Sequence, residues 1–262
     1  MKSVQTLARG LDVLTAVATS TQPIGVSDVS RVLDINKASV ARFLATLAEK
    51  RFVERDQASG RYCLGPAALG LVPRQTFESE LIARAQKYLE ATRDLTTETV
   101  GLYLREGLDR VCVHSVESKQ ELRRSLRAGD RKRLTLGSTG RTFLAFMPSR
   151  EAQSVIDVIG LTPETPQTTV DRAAFLAELA DIRKRGAAMT FGQTILGVAG
   201  LSIPVLDANE RAVAVVSISG PSGRWTPNQM DAVVEKCKHH GRLIAAELGL
   251  ATVPVDDDTV AS

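Results

Sequence analysis

Cysteine is scarce: three residues in 262, at positions 63, 112 and 237. That is too few and too scattered for a disulfide framework, and it fits a reducing compartment. No apolar run is long enough to cross a membrane, and the N-terminus has no basic segment followed by an apolar one. Both absences point to a cytoplasmic, unanchored protein. Strong charge of one sign is also missing, since the net charge is only +3. Any affinity for nucleic acid must therefore come from where the charges sit. What is abundant is ordinary: 44% hydrophobic and 24% charged residues, enough to fill a globular core.

Along the chain, Leu7, Leu11, Leu14 and Ala18 recur at helical spacing and predict a first helix that stops before Gln22-Pro23. Ser27 is the expected cap of a short second helix that carries Val29, Val32 and Leu33 inward. Asn36 caps a third, with Val40, Phe43, Leu44 and Leu47 on its buried side. Residues 52–55 and 61–64 read as two strands around a turn at Asp56–Gly60. Three helices followed by one short hairpin make a winged helix-turn-helix, assigned to residues 1–65.

On the third helix Ser39, Arg42 and Thr46 lie opposite the apolar stripe, with Lys37 at its start. Arginine can pair bidentately with guanine in the major groove, whereas lysine and hydroxyls more often hold phosphate. Arg55 and Arg61 flank the turn of the wing. Residues 1–65 hold nine Lys and Arg against six Asp and Glu, a mildly basic balance. Lys37, Ser39, Arg42, Thr46, Arg55 and Arg61 are the expected contacts to a double-stranded DNA operator.

Residues 66–95 read as a linker and linker helix, marked by Phe77, Leu81, Ala85 and Leu89. From 96 to 250 strands and helices mix without a βαβ rhythm, predicting an α+β domain on a mainly antiparallel sheet. Strands are expected at 100–104, 110–114, 200–206 and 212–219. Helices are expected near 140–147, 151–159 and 171–185, with Gly186 ending the last of these. Thr226-Pro227 opens a terminal helix. Residues 251–262 read as a disordered tail.

The strings Leu7–Leu14, Asn36–Leu47 and Gly60–Gly65 together resemble the IclR family of bacterial transcription regulators. The likeness continues through Val116-Glu117-Ser118, Gly137–Ala145, Leu196-Gly197, Ile203-Pro204-Val205 and Ser217–Pro221. It implies a winged helix-turn-helix joined by a helical linker to a GAF-like effector-binding domain. It also implies a homodimer that pairs into a dimer of dimers, controlling a catabolic operon in response to a small organic acid.

Carried over residue by residue, the effector would meet Ser138, Thr139, Thr190, Gly200, Ser217 and Ser219. Independently, free amides at a helix start favour an anion, and Ser217 and Ser219 share one face of a strand. The sequence departs from the family pattern at Thr190–Gln193, where an acid is common, and at Gly200, where cysteine often stands. The loss of an acid, the gain of Phe191 and the room at Gly200 point to a larger ligand, an aromatic carboxylate bordered by Phe191. Phe191 reads equally well as a core residue.

Two other readings compete. A hydrolase using Ser138 lacks the G-x-S-x-G spacing, because the string is Gly137-Ser138-Thr139-Gly140. A metal-responsive regulator could draw on Cys112, His114, Cys237, His239 and His240, but none of these pairs has a familiar zinc spacing. No catalytic residue, metal site or cofactor is expected. Trp225 is expected to pack ahead of the last helix.

Overall fold

The computed structural model describes residues 4–56, 59–69 and 74–250. Gln57 and Ala58 of the wing turn, Pro73 of the expected linker and the tail from residue 251 lie outside them. The chain divides into two compact units, Met1–Phe77 and Glu78–Ser262.

In the first unit α1 (Gln5–Ala18), α2 (Val26–Leu33) and α3 (Lys37–Glu49) precede β1 (Val53–Arg55), β2 (Tyr62–Leu64) and the short α4 (Pro66–Leu69). The two strands pair antiparallel, with Val53 opposite Leu64. Ile24 adds a bridge to Tyr62 on the other side of the hairpin. The core consists of Val13, Val17, Val29, Val40, Leu44 and Val53.

Three local expectations change. α1 buries Val13 and Val17, one turn apart, while Leu7 and Leu11 are 62% and 53% exposed. The helix therefore has two apolar stripes, and periodicity alone did not say which one faces the core. Val32 of α2 is likewise exposed, at 68%. The cap of α2 is Gly25 rather than Ser27, and Asp28 reaches back to the Gly25 amide at 3.4 Å. The cap of α3 is as expected: Asn36 Oδ1 accepts from the Ser39 amide at 2.8 Å. Asp34, in the left-handed region at φ 52°, turns the chain between α2 and α3.

The long α5 (Arg74–Thr96) leads into the second unit, where it buries Leu81, Ala85 and Leu89 at four-residue spacing. There follow β3 (Thr99–Glu106), β4 (Asp109–Val116), β5 (Arg131–Arg133), α6 (Gly137–Ala145), α7 (Ser149–Ile159), α8 (Arg172–Arg185), β6 (Ala188–Phe191), β7 (Val198–Leu206), β8 (Ala212–Pro221) and α9 (Pro227–Glu247). The strands form one antiparallel sheet in the order β5-β4-β3-β8-β7-β6. Two edge strands, β5 and β6, are additions to the expected set.

Alternation along β7 decides what each face of the sheet meets. Ser202 points to α6, where its hydroxyl meets that of Ser138. Its neighbour Ile203 points to α9, which crosses so closely that a Cβ on Gly241 would lie 2.9 Å from the Pro204 carbonyl oxygen. On the α6 side Phe143, Leu144, Ile156, Phe175 and Val215 belong to one buried cluster with Tyr103. α6 packs tightly onto the chain before it, since a Cβ on Gly140 would lie 2.3 Å from the Leu134 carbonyl oxygen. Local signals set the ends of α8 and α9. Asp171 accepts from the Ala174 amide and Gly186 is left-handed at φ 76°; Thr226 and Gln229 form a capping box before Pro227.

Candidate DNA-reading helix and effector cavity

α3 presents Lys37, Ala38, Ala41, Arg42, Ala45 and Thr46 to solvent, with Ser39 half-buried. The three alanines went unremarked in the sequence. They keep the exposed side of the helix thin, so its backbone can approach a groove and Arg42 can extend beyond it. Thr46 is already committed: its hydroxyl donates to the Arg42 carbonyl at 3.0 Å, leaving only its lone pairs and methyl group for another partner.

The wing arginines are folded onto their own unit. Arg55 Nε donates to the Gly60 carbonyl at 3.3 Å, and its guanidinium lies 5.9 Å from the Tyr62 ring centre. Arg61 Nη1 donates to the Pro23 carbonyl at 3.0 Å and lies 3.4 Å from Asp28 Oδ2. Both side chains remain exposed. Exposed pairs of this kind hold weakly, so a phosphate could compete for either arginine.

In the second unit a cavity of about 290 Å³ lies between α6 and the sheet. Ser138 and Thr139, Thr190, Gly200, Ser217 and Ser219 all line it, drawn from four elements. Their convergence follows from register: Thr190 pairs with Gly200, and Gly200 with Ser219. α6 starts at Gly137, so Ser138 and Thr139 sit in its first turn rather than before it. The amides of that turn have no carbonyl one turn earlier in the helix.

Sequence reasoning missed the centre of this arrangement. Ser202, fully buried opposite Ser217, places its Oγ 2.8 Å from Ser138 Oγ, 3.0 Å from Ser217 Oγ and 3.3 Å from Thr139 Oγ1. A hydroxyl has one proton to give and two lone pairs to receive. Ser202 is the donor toward Ser138 and toward Ser217, one at a time, and can accept from Thr139. The neighbour that receives its proton keeps its own and can give it to a ligand. The signal was a lone serine inside an apolar strand.

Gly200 has a different use from the one expected. A Cβ there would lie 2.8 Å from Ser138 Oγ, so the room it leaves is taken by Ser138. Phe191, expected to border the ligand, is not among the lining residues. It follows Thr190 along β6, so it points to the other face of the sheet. Arg141 does not line the cavity either. It is fully buried over Phe175, with its Nε 3.2 Å from Glu178, and burial lowers its pKa against the pull of that carboxylate.

Cations and one carboxylate also line it: Arg110, Arg124, Arg131 and Lys132, with Asp130. Arg131 pairs with Glu106, and Lys132 with Glu164 at 2.6 Å. Among the described residues Arg110 and Arg124 have no carboxylate partner. Arg110 lies 5.1 Å from the Tyr103 ring centre, and its Nε is buried without a hydrogen bond. Burial pushes the Tyr103 hydroxyl up to about 12, against the nearby charges of Arg110 and Arg124, so it stays protonated. Gln193 Oε1, on the loop between β6 and β7, is also buried and unpartnered.

Of the metal-capable residues, two histidines are hydrogen-bonded and two cysteines are buried. His114 Nε2 lies 2.7 Å from Gln86 Oε1, and His240 Nδ1 lies 2.8 Å from Thr92 Oγ1. Cys112 and Cys237 are buried, which raises their thiols to about 11 and about 12. No group of three or more potential metal ligands occurs among the described residues. Nor is any helix among them long and apolar enough to cross a membrane.

Two family models match the chain. The bacterial transcriptional regulator IclR C-terminal model covers residues 75–246, and the IclR helix-turn-helix domain model covers residues 6–57. The HTH-type transcriptional repressor AllR of Escherichia coli K12 is 28% identical over 253 residues, 97% of this chain and 93% of the relative. Among solved structures, the Thermotoga maritima IclR superposes with a TM-score of 0.62 at 26% identity, covering 94% of this chain and all of that one. HmgR of Pseudomonas aeruginosa gives 0.56 at 25% identity, covering 95% and 100%.

Proposed function

The chain belongs to the IclR family and is a ligand-responsive, DNA-binding transcription regulator rather than an enzyme, and on that premise we propose how it reads DNA and what it senses. α3 enters the major groove, with Arg42 on base edges and Lys37, Ser39 and Thr46 supporting it. Arg55 and Arg61 leave their present partners for the DNA backbone. The active species is a homodimer that pairs into a dimer of dimers. The exposed Val4, Leu7 and Leu11 on one side of α1 support pairing, since such a stripe suits a second copy.

The effector is a small organic acid held in the cavity, with its carboxylate at the first turn of α6 and the hydroxyls of Ser138, Thr139, Ser217 and Ser219. The buried hydroxyl cluster around Ser202, beside free helix amides and unpaired guanidinium groups, carries this reading. Because Phe191 lies away from the cavity, the reading keeps the acid and drops the aromatic group. The volume, at the small end for ligand pockets, agrees with a compact ligand.

The test is a DNA titration with and without an acid selected by thermal shift, on wild type and on the Ser217→Ala, Ser219→Ala double variant. The response to the acid is expected to vanish in the variant while acid-free DNA binding persists. A full response in the variant would sink the assignment.

A further inference from the structure

The cavity is lined by four cations, Arg110, Arg124, Arg131 and Lys132, against one carboxylate, Asp130. Arg131 and Lys132 are compensated by Glu106 and Glu164. Arg110 and Arg124 form no ion pair among the described residues, and both line the cavity near Tyr103. Asp130 does not pair with either; its Oδ2 accepts from the Arg127 amide at 3.1 Å. Two guanidinium groups beside one phenol repel each other when nothing lies between them. Arg110 is also committed to the spot, because its Nε is already buried without an acceptor. Leaving such a donor unmade is costly, and an anionic acceptor is the partner that recovers most.

The polar groups also come in two kinds. Hydroxyls and amides, neutral donors from Ser138, Thr139 and Ser217, form one set. The two arginines on the β4 side form the other. A Cβ on Gly137 would lie 3.6 Å from Arg110 Nη2, so the first arginine stands next to the start of α6. A ligand carboxylate at the helix start thus meets Arg110 at once and leaves Arg124 still unpaired.

We propose that the effector is a dicarboxylate, one carboxylate at the α6 hydroxyls and amides beside Arg110, the other drawn by Arg124. This deepens the organic-acid reading above and rests on it. The volume of about 290 Å³ limits the chain between the two carboxylates to a few carbons. Gln193 Oε1, a free acceptor, would take a hydrogen bond from a hydroxyl or amide on that chain.

The experiment compares each diacid with its own monoamide, which has the same length and one charge fewer. Succinate, glutarate and adipate are titrated against succinamate, glutaramate and adipamate by calorimetry on the full chain. In wild type the best diacid is expected to bind about tenfold or more tighter than its monoamide, the worth of one charge-assisted contact. Arg124→Gln is expected to bring the pair to within about twofold, and Arg110→Gln to weaken both members. Arg110→Lys and Arg124→Lys keep the charge and should keep most of the preference. They carry the test if a Gln variant melts early without ligand. Equal binding of diacid and monoamide by wild type would overturn the proposal while the organic-acid reading stands. A preference that survives Arg124→Gln would also overturn it. If no acid binds and a neutral compound does, the organic-acid reading falls as well.

Discussion

Ser202 Oγ lies 2.8 Å from Ser138 Oγ, tying the middle of β7 to the first turn of α6. Both serines are buried, so this contact fixes how far the helix start stands from the sheet. The same hydroxyl reaches Ser217 on β8, and through it the position of the cavity's strand residues depends on the position of the helix. A ligand that accepts a hydrogen bond from any member of the cluster changes which way the others point.

Ser202→Ala removes the shared partner of three buried hydroxyls. We expect a loss of about 1–3 kcal/mol in stability, the cost of buried groups left unmade, and a weaker response to effector. Urea unfolding and DNA titration measure the two effects. A variant with unchanged stability and unchanged response would show that the cluster is incidental.

Gly200→Ala places a methyl group 2.8 Å from Ser138 Oγ. The hydroxyl must rotate or α6 must shift, and either disturbs the anion site. The expected result is weaker effector binding, with DNA binding in the absence of effector intact. Calorimetry checks it, and an unchanged effector affinity would contradict it.

Arg42→Ala should weaken binding to the operator by about 1–3 kcal/mol and relax preference at the base it reads. Its placement on the exposed side of α3 among alanines is the reason. Equal losses on operator and random DNA would instead make it a phosphate contact.

Arg61→Ala should lower affinity on every sequence and reduce the salt slope of binding by about one unit. The folded unit should lose less than about 1 kcal/mol, because the pair with Asp28 is exposed. An unchanged slope would leave Arg61 as a tie between the wing and α2.

His240 makes stability depend on pH. Burial, and then the charge of His239, hold its imidazole below the ordinary 6.5. The unfolded chain therefore takes up a proton that the folded chain resists. The neutral form's contribution is complete above about pH 6.5 and is lost as pH falls from there toward the folded value. Denaturation at stepped pH should show this slope, and His240→Gln should flatten it.

Much of this protein was legible locally. Asn36, Gly186 and Thr226-Pro227 mark helix ends because a cap acts within four residues of itself. The winged helix and the antiparallel α+β sheet followed from periodicity and turns, and the resemblance supplied most of the cavity serines and threonines. Tertiary structure decided what depends on pairing between distant segments. α1 carries two apolar stripes, and only packing against α2 and α3 selected Val13 and Val17 over Leu7 and Leu11. Phe191 stands one residue from Thr190, and a single step along a strand changes its face. Ser202, Arg110 and Arg124 lie in three segments with no common motif. They line or brace one cavity because β7 pairs with β8, β8 with β3 and β3 with β4. A side chain's own neighbours in sequence hold no record of that register, so the charge of the cavity could not be counted until the sheet was assembled.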